Sequence, residues 1–444
     1  MSLPAAIATR RLSAGDPEAF QTLRADRTFV LIQSLFALAL LGAPLAFGAV
    51  QTWCWAVLVV MAVLMLVLWA VASTRQKRID LAWSPLFVPA GLFLALAVFQ
   101  LLIGHTADSA STRNGLLKLI AVLIFFFLAV QFSASATPES WQLRGLVVAG
   151  YTFGISLFGV VQYFTAPAQL YWSVTPRRQG WVFGPYVNHN HYAGLMEMLI
   201  PLSAGYALSY EGPLKPLLIF ALLTPVASVL LSGSRGGMLA LLLEGVLLIA
   251  IVLSKGRQER RQLMATAVTS AILIAVLAFL WLDPGGLTKR LQTTFESSQT
   301  LGSRKQVSLD SLRMVGDHLW LGTGLGSFEY VYPKYQSFPT DVVWDHAHDD
   351  YVEALGETGL VGGLLIVLAV AVGFRLAFRN LGDRLRHRLG WIQLGAALSC
   401  CSLLLHSFLD FNLHIPANAA WFAVCAAVAT SAPQRGCDCA SRRH

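Results

Sequence analysis

Charge is what this sequence has least of. Only 13% of its 444 residues are Asp, Glu, Lys or Arg, and 56% are hydrophobic, whereas a soluble domain carries about 25% charged residues. With a mean hydropathy of +0.61, a water-soluble globule is excluded and the apolar side chains must face lipid. Cysteine is also sparse. Of the six, Cys400, Cys401 and Cys425 lie inside apolar runs, Cys54 sits alone near the edge of one, and Cys437 and Cys439 lie in a basic tail. No disulfide framework can be read from that distribution, and the tail pair has no further ligands nearby to complete a zinc site. There is no Gly-rich nucleotide loop, internal repeat or low-complexity linker. The loops on the cytoplasmic side are too short to house a nucleotide-binding domain, so a cytosolic nucleotide sugar is not the expected donor, and the internal symmetry of many transporters is missing. No short apolar core followed by a small-residue cleavage site opens the chain, so the first apolar run is expected to be retained.

What is present is a series of apolar runs long enough to cross a bilayer. They fall at 29–50, 53–72, 87–104, 116–132, 145–164, 192–208, 214–231, 237–253, 263–282, 360–374, 391–409 and 416–432. The expected fold class is therefore an all-α polytopic membrane protein with about 12 transmembrane helices. Lys and Arg cluster in alternate connections, at Arg10, Arg11, Arg24 and Arg27, at Arg75, Lys77 and Arg78, at Lys255 to Arg261, at Arg375 to Arg388, and in the tail. Because positive loops stay in the cytoplasm, both termini are expected there. The formal net charge of +8 then reflects topology, and no nucleic-acid partner is implied. Four regions follow: helices 1 to 9 with short loops in 1–282, a large outer loop with the catalytic segment in 283–359, helices 10 to 12 in 360–432, and a cytoplasmic tail in 433–444.

Cations that break this rule point to function. Arg113, Lys118, Arg177, Arg178 and Arg235 fall on the outer side. Arg235 lies in Ser232-Gly233-Ser234-Arg235-Gly236-Gly237, between two apolar runs. An arginine so close to hydrocarbon costs a few kcal/mol unless paired or hydrated, and small neighbours leave backbone amides free to bind an anion. A tight turn with a snorkelling arginine is the alternative. The segment from Arg177 and Arg178 through Asn188-His189-Asn190-His191-Tyr192-Ala193-Gly194 mixes cations, aromatics and amides. That mixture suits a phosphorylated or sugar ligand, and an interfacial aromatic belt with an Asn helix cap is compatible with it.

The segment Trp344-Asp345-His346-Ala347-His348-Asp349-Asp350-Tyr351 leads into an apolar run, which places imidazoles at the lipid–water boundary. A metal site on His346 and His348 is disfavoured, because i, i+2 spacing splays side chains where helical metal motifs use i, i+3 or i, i+4. Asp349 or Asp350 suits a helix cap. One histidine suits a general base that takes a proton from an acceptor hydroxyl. A last polar stretch, from His406 to Asn418, can line the same cavity or cap helix ends.

These motifs together resemble the O-antigen ligase and polymerase superfamily of bacterial membrane glycosyltransferases. The resemblance rests on Asn188 to Gly194, on Gly233 to Gly237, on Ser303-Arg304 followed by Leu321-Gly322-Thr323-Gly324-Leu325-Gly326-Ser327-Phe328, and on His348 with Gly359 and Gly362 at the ligase spacing. Asp349 departs from the usual Asn, Ser or Gln after the histidine. The resemblance implies a fold related to membrane-embedded, GT-C-type glycosyltransferases, without cofactor. It implies metal-independent, inverting transfer of a glycan from undecaprenyl pyrophosphate to a sugar hydroxyl on the periplasmic face of the inner membrane. The acceptor is lipid A-core for a ligase, or a second lipid-linked glycan for a polymerase; a lipid-linked glycan transporter is the reading from another class. His348, Arg235 and Arg304 become the candidate catalytic residues. Arg178, Arg177, Asn188, Asn190, His346 and Asp349 are candidates for binding substrate, and no metal ligand is assigned.

Overall fold

The computed structural model describes residues 8–11, 27–75, 78–176, 181–253, 298–340 and 343–431. Among these the regular structure is helical apart from a short parallel ladder that pairs β1 (Ala8–Arg11) with β2 (Arg78–Leu81) and two isolated bridges, Leu170 with Val174 and Phe183 with Tyr186. The helices are α1 (Arg27–Leu45), α2 (Thr52–Arg75), α3 (Phe87–Leu102), α4 (Ser109–Ala134), α5 (Pro138–Thr165), α6 (His189–Ser209), α7 (Lys215–Ala221), α8 (Leu223–Ser232) and α9 (Arg235–Leu253). There follow α10 (Ser298–Asp317), α11 (Phe328–Val331), α12 (Asp350–Phe378), α13 (Leu381–Arg384), α14 (Arg388–His406) and α15 (Pro416–Thr430).

Seven helical stretches among the described residues are long and apolar enough to cross a membrane: α1, α2, α4, α5, the joined α7 and α8, α12 and α14. The shorter α3 and α15 are also apolar. Eleven of the twelve predicted runs fall on helices, α6 and α9 included, and the run at 263–282 lies outside the described residues. The boundaries differ for a physical reason. A hydrophobic run ends where polar residues begin, but a helix ends where its backbone is capped. Helix α4 therefore starts before its apolar run, at Ser109, because the Asp108 carboxylate accepts the Ser111 N–H at 2.7 Å. The run at 29–50 stops being α-helical at Leu45 and finishes in a 3-10 turn over Phe47–Ala49, where Gly48 adopts φ +72°.

Helix α6 is buried on nearly every side, the mark of a central element. It packs closely along α14, where Gly205 lies against the Trp391 carbonyl and Gly395 against that of Pro201. A side chain at either glycine would push the helices apart, and small residues serve this purpose in membrane bundles because close backbone approach is what holds them.

Helix α12 is two helices joined at Gly359, which has φ +63° and ψ −169°. A Cβ there would run into the Trp320 carbonyl. The amides that follow the break bond to the turn after α10: Leu360 N–H donates to the Leu319 carbonyl at 2.8 Å and Val361 N–H to that of Trp320 at 3.3 Å. Just before it, the carbonyls of Gly356 and Glu357 accept from Thr323 and Gly324 at 3.0 and 2.9 Å. The Gly-rich 321–326 stretch is thus the receptor for the break in α12. Val307, Met314, Phe328, Tyr332 and Ala347 form a small buried cluster beside it, so 298–359 carries its own core next to the bundle.

Candidate active site

Three of the polar residues singled out in the sequence, His348, Arg304 and Asn190, converge on the carboxylate of Asp410. This side chain is fully buried in the turn after α14. Its Oδ1 faces His348 Nδ1 at 3.2 Å and accepts the Phe411 N–H at 2.9 Å. Its Oδ2 accepts from the Asn190 side-chain amide at 2.6 Å and lies 3.7 Å from Arg304. His191 Nε2 is 3.9 Å from Oδ1. Burial alone would raise the Asp410 pKa, but the His348 hydrogen bond, His191 and Arg304 outweigh it and hold the carboxyl well below its ordinary range. A buried carboxylate stays ionised only with such partners.

Local structure explains why these groups meet. His348 adopts φ +54°, a left-handed conformation uncommon for a residue with a Cβ. The next residue starts a helix, since Asp349 Oδ1 accepts the amides of Tyr351 and Val352 at 3.0 and 3.1 Å. The chain therefore turns sharply at the histidine. Asp350 N–H donates to the Ser407 carbonyl at 2.9 Å, tying this turn to the end of α14. On the other side, Asn188 caps α6 by accepting the Asn190 N–H at 2.8 Å, which aims Asn190 at Asp410. Gly194, one turn further on, leaves room for the Asn412 carboxamide, and Asn418 bonds both the His191 carbonyl at 2.9 Å and Asn412 at 3.1 Å.

The predicted residues sort as follows. His348, Arg304 and Asn190 share Asp410 directly, and Asn188 positions Asn190. Arg235 opens α9 and is partly buried. Its neighbour Gly236 lies against the imidazole of His406, one helical turn before Asp410, and Gly233 lies under Trp181, where an added Cβ would come within 2.7 Å of the indole. Asp349 caps α12. Arg177 and Arg178 lie outside the described residues.

His346 belongs to a separate cluster. Its Nδ1 faces Glu353 Oε1 at 2.7 Å, and its ring stacks on Phe411 with centroids 4.1 Å apart, while His348 meets the same phenyl ring edge-on at 4.9 Å. His414 Nε2 is 3.2 Å from Glu353 Oε1 and its Nδ1 is 2.7 Å from Asp350 Oδ1. Burial would lower the His414 pKa, but the Glu353 and Asp350 carboxylates push it up to about 10.

The sequence places Asp410, His406 and His414 only in a polar stretch that can line the same cavity or cap helix ends, and it assigns Glu353 and Glu197 no role. Only Glu197 carries a signal of its own, as a lone acid deep inside an apolar run, a rare and functional placement. It is fully buried, with Oε1 2.7 Å from His406 Nδ1. The others are polar residues at helix ends, where caps are commonplace.

The family model described as O-antigen ligase matches residues 220–367, a stretch that holds Arg235, Arg304, His346, His348 and Gly359. The O-antigen ligase of Pseudomonas aeruginosa is 23% identical over 317 residues, covering 70% of each chain. Over that stretch the chain is similar to the O-antigen ligase family. In this chain the His348-to-Gly359 spacing has a structural meaning: it separates the turn that presents the imidazole from the break that seats α12 on the 319–324 stretch. Asp349, where the family pattern has an amide or hydroxyl, fulfils the cap with a carboxylate.

Proposed function

We propose that this protein is a glycosyltransferase of the O-antigen ligase type. It moves a glycan from undecaprenyl pyrophosphate to a sugar hydroxyl of lipid A-core, at the periplasmic face of the inner membrane, by inversion and without a metal ion in the transfer step. The observation that carries the reading is the His348–Asp410 pair at 3.2 Å, with Arg304 3.7 Å from the same carboxylate.

His348 Nδ1–H donates to Asp410, which leaves Nε2 as the base. Nε2 takes the proton of the acceptor hydroxyl as that oxygen attacks the anomeric carbon, and the bond from that carbon to the pyrophosphate oxygen breaks on the opposite face. The electron pair leaves with the pyrophosphate. Fixed cations at a low-dielectric boundary stabilise that developing charge without a bound metal. In this reading Arg304 and Arg235, carried by α10 and α9, supply that charge, and Arg178 is the third candidate. Asp410 holds the ring's tautomer and balances the imidazolium, the role a buried carboxylate plays beside a catalytic histidine. Asn190 orients Asp410.

The test uses purified protein in detergent with lipid-linked glycan and lipid A-core. Transfer to the core without a membrane gradient is the expected result, and its loss in His348→Ala and Arg235→Ala, with both variants still folded, completes it. Unchanged transfer in both variants overturns the mechanism. Elongation of the lipid-linked glycan in place of transfer to the core would reassign the enzyme as a polymerase.

A further inference from the structure

We propose that His346 Nδ1, Glu353 Oε1 and His414 Nε2 form a binding site for a divalent transition-metal ion of the zinc class, which clamps the outer segments together and takes no part in glycan transfer. The sequence argued against a metal on His346 and His348, and in the structure those two rings indeed diverge, toward Glu353 and Asp410 respectively. The ligand set assembled by the fold is a different one. It draws on the loop before α12, on the first turn of α12, and on the 3-10 turn Asn412–His414.

Three donor atoms lie within 4.8 Å of one another. Glu353 Oε1 is 2.7 Å from His346 Nδ1 and 3.2 Å from His414 Nε2. Tetrahedral zinc with bonds of about 2.0–2.1 Å separates its donor atoms by about 3.3 Å, so the two separations from Glu353 need to change by only about 0.6 and 0.1 Å to admit an ion. Each donor is also aimed by a contact of its own. The second Glu353 oxygen accepts the Ala347 N–H at 2.8 Å. His414 Nδ1 faces Asp350 Oδ1 at 2.7 Å, and Asp350 Oδ2 accepts the Leu413 N–H at 3.1 Å. That is the carboxylate–histidine–metal arrangement that orients an imidazole and raises its basicity. The His346 ring plane is fixed by stacking on Phe411.

Two imidazoles and one carboxylate select zinc-class ions over magnesium or calcium, which prefer oxygen donors. Glu353 is buried while His346 and His414 each keep about a quarter of their surface, 26%, exposed, so the fourth position is open to water on one side, as in sites with two histidines and a glutamate.

The test uses full-length protein in detergent, stripped with a chelator and titrated with Co2+, with Zn2+ as competitor and thermal stability as a second readout. The readouts are spectral and thermal, so they stand whether or not glycan transfer is detected. Expected are one Co2+ per chain with the visible bands of a four-coordinate site, displacement by Zn2+, and a rise in Tm. His414→Gln and His346→Gln should lose all three, and Asp350→Asn should weaken binding about 10–100-fold. No Co2+ band in the wild type, or equal binding and an equal Tm rise in His414→Gln, would show that protons alone occupy the cluster and overturn the proposal.

Discussion

The imidazole of His406 occupies the space into which a Cβ on Gly236 would project. Its other ring nitrogen is held by Glu197 at 2.7 Å, and its backbone carbonyl accepts the N–H of Asp410 at 3.1 Å. One buried side chain therefore sets the start of α9, which carries Arg235, and its backbone starts the turn that carries Asp410. The second glycine of the motif serves the same contact, since a Cβ on Gly237 would come within 2.7 Å of Ala193 and 3.3 Å of Glu197 Oε1.

Gly236→Ala should accordingly displace Arg235 relative to Asp410. Overpacking of this kind costs about 1–3 kcal/mol. The expected outcome is a Tm lowered by several degrees together with a fall of at least tenfold in kcat, since misplacement of about 1 Å can cost 10²-fold. A rate that falls no further than the folded fraction does would show that the glycine serves packing only.

His348 and His346 are separated by their partners. His348→Ala and Asp410→Asn should each lower kcat by about 10²–10⁴-fold, the usual contribution of a general base, with a smaller change in the donor KM. His346→Gln should lower it by less than about tenfold, because its ring faces Glu353 and not Asp410. Steady-state kinetics on purified variants checks the order; a larger loss in His346→Gln than in His348→Ala would reverse the assignment of the base.

Asp410 also fixes a pH dependence. Its pKa in the folded protein lies well below the ordinary value, so the unfolded chain binds more protons than the folded one in the acid range. Its contribution to stability is fully present above the unfolded pKa of about 3.9 and is lost as pH falls through the folded value. The Tm difference between wild type and Asp410→Asn should stay constant from pH 5 to 8 and shrink below about pH 4. A gap that widens on acidification would contradict the depressed pKa.

Gly359 tests the fold. At φ +63°, with the Trp320 carbonyl where a Cβ would stand, Gly359→Ala meets both backbone strain, of order 1–3 kcal/mol, and a collision. We expect a marked loss of detergent-stable protein by size-exclusion chromatography. Gly382→Ala, where no atom lies within 4 Å of the added Cβ, is the control and should behave like wild type.

The sequence by itself determined that the chain resides in a bilayer, because twelve apolar runs and so few charges leave no soluble alternative. It also picked out His348, Arg235, Arg304 and Asn190, since cations, amides and imidazoles at membrane boundaries are costly enough to stand out against their surroundings. Only the tertiary structure decided how they combine. Asp410 is 62 residues from His348 and 220 from Asn190, and nothing in a local window distinguishes it from a helix-end cap. That His346 and His348 face different carboxylates, Glu353 and Asp410, is likewise set by the fold, since those two come from the ends of different helices. Gly236 reads as a turn residue in sequence; that it clears space for His406 follows from the packing of α9 against α14. Side-chain chemistry is local and legible, whereas a partner across the fold is set by packing, which one sequence does not display.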